Sequence, residues 1–344
     1  MPYTTIKKPS DYFNTVLYTG NGSTQSITGV GFQPDLVWGK IRNDARKHNM
    51  YDAIRGVQKR IVPNSGASED TVPGVTSFDS DGFTVGAETD MNQNTNTFVS
   101  WNWLASNTTT SNTDGDLTST VSVNSTSGFS IVSYTGNGTA GTTVGHGLGA
   151  TADFVIVEGL DNADLFQVIC KSLAADKFLQ FATANAFDQS TYNMFNSTRP
   201  NDTVITLGDL QHTNANGQRY IAYCFAEKKG FSKIGSYFGN GNADGSFIYL
   251  GFKPAFVITK RTDSASDWVI LDNKRNSFNV VDKKLESSNS DADTTQTACD
   301  FLSNGIKLKD TTTSYLGTNI SGGSYIYMAF AEKPLVGDNP ATAR

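Results

Sequence analysis

Tyr18-Thr19-Gly20-Asn21-Gly22 returns as Tyr134-Thr135-Gly136-Asn137-Gly138 and, with one change, as Tyr237-Phe238-Gly239-Asn240-Gly241. Each copy follows a short apolar run opening on Phe13, Phe129 or Phe231, and each precedes a Gly-rich turn and a second apolar run. The chain of 344 residues therefore carries an internal repeat of roughly a hundred residues, and the repeat governs every local reading. Asn-Gly tolerates the positive φ that a two-residue turn requires, so strand, Asn-Gly, strand predicts a β-hairpin in each copy.

Working outward, the turn and strand Gly31-Phe32-Gln33-Pro34-Asp35-Leu36-Val37-Trp38 matches residues 147–157 and 251–258 with drift in the individual residues. Asp81-Gly82 and Asn304-Gly305 predict a second hairpin in the first and third copies, with residues 203–207 at the matching place in the second. Each copy closes on an aromatic strand: residues 98–104, 220–225 and 325–330. Period-two alternation puts Trp101 and Trp103 on one face and Phe98, Ser100 and Asn102 on the other, the pattern of a half-buried strand. The expected architecture is all-β, three tandem antiparallel β-sandwich repeats of jelly-roll type. They divide as an N-terminal arm 1–10, repeats 11–106, 128–229 and 230–337, a Ser/Thr/Asn-rich linker 107–127, and a tail 338–344. Leu117, Val121 and Val123 can pair locally as an edge strand inside the linker. A flexible joint is expected after the first repeat and a stiff one after the second.

Composition agrees with short strands and many turns, since only 17% of residues are charged and Gly alone numbers 32. The formal charge of −6 argues against general attraction to nucleic acid. No apolar run reaches bilayer-spanning length and the N-terminus lacks a signal-peptide core, so neither membrane insertion nor Sec export is expected. Cys170, Cys224 and Cys299 are too scattered for a disulfide framework or a thiolate metal site.

Chemistry-bearing constellations are few. Gly136-Asn137-Gly138-Thr139-Ala140-Gly141 fits a dinucleotide pattern, but no helix-forming sequence follows it. Asp79-Ser80-Asp81-Gly82 resembles the start of a calcium loop but lacks the closing Glu, and reads as a turn. His48, His146 and His212 fall at different places in their repeats, and Glu88, Asp90, Glu158 and Asp161 follow no recurring frame, so no catalytic residue, cofactor or metal ligand is assigned. Lys40, Arg42, Arg46, Lys47, Arg55, Lys59 and Arg60 crowd one window of the first repeat and are the candidates for docking an acidic partner. Trp38, Trp101, Trp103 and Trp268 are the candidates for stacking against a glycan, weighed against the usual place of large aromatics in a sandwich core.

The stretches Phe13 to Gly22, Gly31 to Val37, Ser77 to Phe83, Asn124 to Val132 and Tyr327 to Glu332, with Ala341 to Arg344, resemble a repeat-domain family of marine bacteriophages, including those of cyanobacteria. The resemblance implies a virion structural protein without catalytic residues: a tail-associated fibre or appendage, or a capsid decoration. On that reading the protein sits on the virion surface after synthesis in the host cytoplasm. Its expected partners are other virion proteins and copies of itself, as a trimer. A carbohydrate-binding host-recognition adhesin and a polysaccharide depolymerase are the rival readings.

Overall fold

The computed structural model describes residues 3–186, 188–189, 192–313, 317–336 and 340–342. Met1 and Pro2 of the arm, and Asp338, Asn339, Ala343 and Arg344 of the tail, lie outside the described residues. The fold is all-β, in several antiparallel sheets. In the first segment the strands run in the order Phe13–Thr19, Thr97–Trp103, Leu36–Ile41, Asn49–Asp52. The second and third segments repeat this order with Phe129–Thr135, Arg219–Phe225, Phe154–Gly159, Gln167–Cys170 and with Ser232–Phe238, Ser324–Pro334, Phe252–Arg261, Trp268–Asp272.

The Asn-Gly stretch is an arch between strands that do not pair with each other, which corrects the expected hairpin. Phe13–Thr19 pairs with Thr97–Trp103, whereas Gln25–Thr28 pairs with Gly82–Val85. The second and third copies split their strands in the same way. A buried asparagine holds each arch. The Oδ1 atoms of Asn92, Asn214 and Asn319 accept the backbone N–H of Asn21, Asn137 and Asn240 at 2.9, 2.9 and 3.0 Å. The backbone carbonyls of the same three asparagines accept the N–H of Gly22, Gly138 and Gly241, which adopt φ of +73°, +72° and +66°. The local conformation that Asn-Gly favours is therefore present, and its use differs. Folding the two strands into separate sheets lets Ile27 face the interior between them. All three asparagines are fully buried, and Asn319 also donates to the carbonyls of Asn242 and Asp310 at 2.9 and 3.0 Å. Asn319→Ala would strand these groups, and a loss on the order of 2–3 kcal/mol is expected in urea denaturation. A change below about 0.5 kcal/mol would show that water replaces the side chain.

The other hairpins form where the turn residues predict them. Val75–Asp79 pairs with Gly82–Val85 through Asp79 opposite Gly82, and Thr294–Leu302 pairs with Gly305–Leu308 through Leu302 opposite Gly305. Asp81 and Asp79 are spent locally: Asp81 accepts the N–H of Gly29 and Gly31, and Asp79 accepts hydroxyls from Ser77 and Thr84.

Alternation along the central strands feeds two cores. On Phe154–Gly159, Phe154 and Ile156 point to one cluster, while Val155 and Val157 point to another confined to the second segment. These strands are buried on both faces, and Phe98–Trp103 is too, in place of the expected half-buried pattern. The shared cluster draws on all three segments. At its centre the rings of Trp103, Phe225 and Phe330 stand 5.8 to 6.3 Å apart as a triangle. Each occupies the same register position, opposite Leu36, Phe154 and Phe256 respectively. Smaller clusters then fill each segment separately.

Residues expected to form a flexible linker are largely structured. Thr110–Asn112 and Ser119–Asn124 extend the second segment's sheet at the edge of Phe129–Thr135, and Leu117 bridges to Val144. The arm also packs on its own chain: Ile6 enters the shared core, and the Tyr3 hydroxyl donates to the Gly251 carbonyl at 2.9 Å.

Candidate functional site

The basic window of the first segment is mostly turned inward. Lys40 is fully buried and donates to the carbonyls of Ile41 and Ser290 at 2.8 and 3.2 Å. Burial pulls its ammonium down to about 8, against the opposing pull of Asp293 and Asp291. Arg42 meets Asp293 at 2.9 Å; Arg55 meets Asp52 at 2.5 Å and Glu69 at 3.2 Å; Arg60 meets Asp70, Asp90 and Glu88 within 3.4 Å. Arg46 pairs with Asp44 at 3.4 Å, and Lys59 donates to the Thr71 hydroxyl. Lys47 is exposed. The window is thus a set of internal ion pairs rather than an open basic face. Of its neutralising acids Asp44 and Asp52 lie inside the window, whereas Glu69, Asp70, Glu88, Asp90 and Asp293 come from outside it, where a sequence count does not see them.

Recurring positions expose the logic of these pairs. Asp52, Cys170 and Asp272 stand opposite Leu36, Phe154 and Phe256, and three residues further on come Arg55, Leu173 and Arg275. Two segments carry an Asp–Arg pair, and the second carries Cys and Leu. Each Asp also receives a donor from a neighbouring segment: Tyr223 Oη reaches Asp52 at 2.7 Å, and Trp101 Nε1 reaches Asp272 at 3.1 Å. The position equivalent to Tyr223 and Trp101 in the third segment is Met328, which cannot donate.

Trp38, Trp101, Trp103 and Trp268 all belong to the shared core and are at most 2% exposed, so none offers a ring to a glycan. Their indoles are anchored inside in three cases: Trp38 Nε1 donates to His48 Nδ1 at 3.0 Å, Trp101 to Asp272, and Trp268 to the Gln180 carbonyl at 2.8 Å. Since His48 Nδ1 accepts, its Nε2 carries the proton and donates to the Glu286 carbonyl at 3.0 Å. Burial holds His48 well below the usual histidine range, so it stays neutral. His146 lies between the Leu148 N–H and the Asn201 carbonyl, and His212 meets Asp164. The three histidines do not converge. The three cysteines are buried, and no metal-holding group of His, Cys, Asp and Glu occurs among the described residues.

The surface feature that sequence reading passed over is aromatic. Phe238, Phe247 and Tyr249 are 70%, 45% and 54% exposed. Phe247 and Tyr249 alternate with buried Ile248 on the short strand Phe247–Tyr249, and Ser246 Oγ donates to the Phe238 carbonyl at 2.9 Å, so the backbone beside Phe247 meets the backbone at Phe238. By register the equivalents are Thr19, Ser26 and Thr28 in the first segment and Thr135, Thr143 and Gly145 in the second. The fold accepts small or polar residues at these places, so the aromatic rings are a property of the third segment and not a packing requirement. Comparing the three copies position by position would have found them.

A family defined as a domain of unknown function, DUF7483, matches residues 8–334. The chain belongs to that family. No curated protein and no solved structure matches it. The DUF7483 region contains the aromatic face, the ring triangle and all three arches, whereas Tyr3 and Ile6 of the arm precede it.

Inside the DUF7483 region a buried carboxyl group stands without a hydrogen-bond partner. Glu158 stands where the other segments have Lys40 and Lys260, both of which donate to carbonyls, and both its carboxylate oxygens lack a hydrogen-bond partner. Burial, reinforced by the neighbouring Asp164, pushes it well above its ordinary value of 4.5. Below that value the carboxyl is protonated in both folded and unfolded chains and costs nothing. As pH rises the unfolded chain ionises first, so stability falls until the folded value is passed. Glu158→Gln is therefore expected to raise the denaturation midpoint near pH 8 and to leave it unchanged near pH 4. An equal effect at both pH values would show that Glu158 is not held protonated.

Proposed function

We propose that the chain is a structural protein of a phage virion, a tail-associated fibre or appendage or a capsid decoration, with an adhesive or assembly role and no catalytic activity. It is built in this reading as three tandem β-sandwich repeats and works as a homo-oligomer, a trimer, on the virion surface. The observation that carries the reading is the aromatic face of Phe238, Phe247 and Tyr249, exposed at positions that are small or polar in the other two segments. Exposed apolar clusters of this kind mark interaction sites. Histidines, cysteines and tryptophans, the usual carriers of chemistry or recognition, are meanwhile taken up within the fold. Immunogold labelling of purified particles tests the location. Label on a tail, fibre or head supports the reading, and particles without label remove it. Light scattering after size exclusion reads the oligomer.

The aromatic face also favours a second reading, a carbohydrate-binding host-recognition adhesin, because exposed aromatic rings can stack on sugar faces. On a glycan array Phe247→Ala with Tyr249→Ala is expected to abolish signal and leave thermal unfolding within about 1 kcal/mol of the parent. Signal that survives the double substitution rules this face out as the contact.

A further inference from the structure

Each segment reaches into a neighbour at equivalent places. By register Lys40, Glu158 and Lys260 correspond, and so do His48, Phe166 and Trp268 on the strands that follow. Where the first segment meets the third, Lys40 donates to the Ser290 carbonyl at 3.2 Å and His48 to the Glu286 carbonyl at 3.0 Å. Where the third meets the second, Lys260 donates to the Ala184 carbonyl at 3.2 Å and Trp268 to the Gln180 carbonyl at 2.8 Å. Gln180 and Glu286 correspond by register, and Ala184 and Ser290 each lie four residues further on. Two seams thus carry corresponding donors onto corresponding carbonyls.

The seam between the second segment and the first has neither donor. Glu158 stands in place of the lysine with both carboxylate oxygens unpartnered, and Phe166 has no N–H to give. Asp164, on the loop after Glu158, also has an unpartnered Oδ2. That loop touches the first segment closely, since a Cβ on Gly66 would come within 3.1 Å of the Asp164 carbonyl oxygen. The Glu69 N–H donates to the Leu160 carbonyl at 3.0 Å, as the Asp293 N–H donates to the Arg42 carbonyl at 2.7 Å in the first-to-third seam. Tyr223 on Asp52 and Arg219 on Glu69 cross here as well. Orphaned buried polar atoms cost free energy that a partner would offset, so this seam carries a penalty where the other two carry hydrogen bonds. We propose that the fold has a built-in opening point at this seam: the loop of Gly66 and Glu69 parts from residues 160–166 before either equivalent seam opens, and Glu158 and Asp164 then reach water. The seam is a property of the chain and is independent of where the protein resides.

Opening here is coupled to a proton. Burial and Asp164 hold Glu158 above its ordinary value of 4.5, against the pull of Arg55 from the first segment, and His212 meets Asp164. In the open form the carboxyl returns to its ordinary range and ionises. Each pH unit above that range therefore favours opening by up to about tenfold, until the folded value is passed. Amide hydrogen exchange of the full chain, followed residue by residue, tests this, because Glu69 and Asp293 are equivalent amides in one molecule. Near pH 8 the Glu69 N–H is expected to be about tenfold or more less protected than the Asp293 N–H. Its protection is expected to fall with pH by up to about tenfold per unit between about pH 5.5 and 7.5. Glu158→Gln is expected to raise Glu69 protection near pH 8 and to flatten that dependence. The comparison of Glu69 with Asp293 uses the parent alone and stands whatever the stability of the variant. Equal protection at the two amides, weaker protection at Asp293, or Glu69 protection unaffected by pH or by Glu158→Gln would each overturn the proposal.

Discussion

Asp272→Ala is expected to destabilise the protein by about 3–5 kcal/mol, because it leaves the guanidinium of Arg275 buried without its closest anion. Both side chains are fully buried and meet at 2.6 Å, and Arg275 retains only Asp293, which it shares with Arg42. Burial alone would disfavour the charged guanidinium, and the two aspartates outweigh it, holding Arg275 above its ordinary range. The second segment shows the alternative solution, with Cys170 and Leu173 in place of the pair and Met328 in place of the donor. Transplanting it as Trp101→Met, Asp272→Cys and Arg275→Leu is therefore expected to recover most of the loss, since well-packed apolar groups commonly match or better a buried ion pair. Urea denaturation of parent, single and triple variants checks both statements. A triple variant no more stable than Asp272→Ala would mean that the pair does more than satisfy its own charges.

Trp103→Ala should cost a similar amount, about 3–5 kcal/mol, by opening a cavity where three segments meet. Its ring contacts Phe13, Phe225, Phe256 and Phe330 at centroid distances of 4.9 to 6.3 Å, so the lost packing belongs to the whole chain. Hydrogen exchange should consequently quicken in the central strands of all three segments, and quickening confined to the first would contradict a shared core. Trp103→Phe recreates the residue found at the equivalent positions 225 and 330, and it removes an indole N–H that has no partner. Its cost is expected to stay below about 1.5 kcal/mol.

These two expectations rest on features of different legibility. The repeat was plain in the three Tyr-x-Gly-Asn-Gly stretches, and so were the strand runs and the Asp81-Gly82 and Asn304-Gly305 hairpins, because all of these depend on residues close in sequence. Within the candidate surface, Lys40, Arg55 and Arg60 looked solvated because the carboxylates and carbonyls that take them up lie elsewhere in the chain. By sequence the four tryptophans are candidates for a ligand, weighed against the more usual place of large aromatics in a core, and their neighbours make all four core. Phe238, Phe247 and Tyr249 are not legible in the sequence because a short apolar strand reads as buried, whereas the fold leaves these three side chains exposed.

Local chemistry by itself determined the all-β class, the threefold recurrence, the positive φ of the Asn-Gly glycines and the turns with adjacent partners. Tertiary structure alone decided that the strands flanking each Asn-Gly stretch take different partners, that strands with period-two patterns are covered on both faces, and that three segments share one aromatic centre. Dihedral preference and turn chemistry act over a few residues and are written in the neighbours. Strand partners and burial follow instead from the free energy of removing apolar surface from water, and that depends on what residues a hundred positions away bring to the same place.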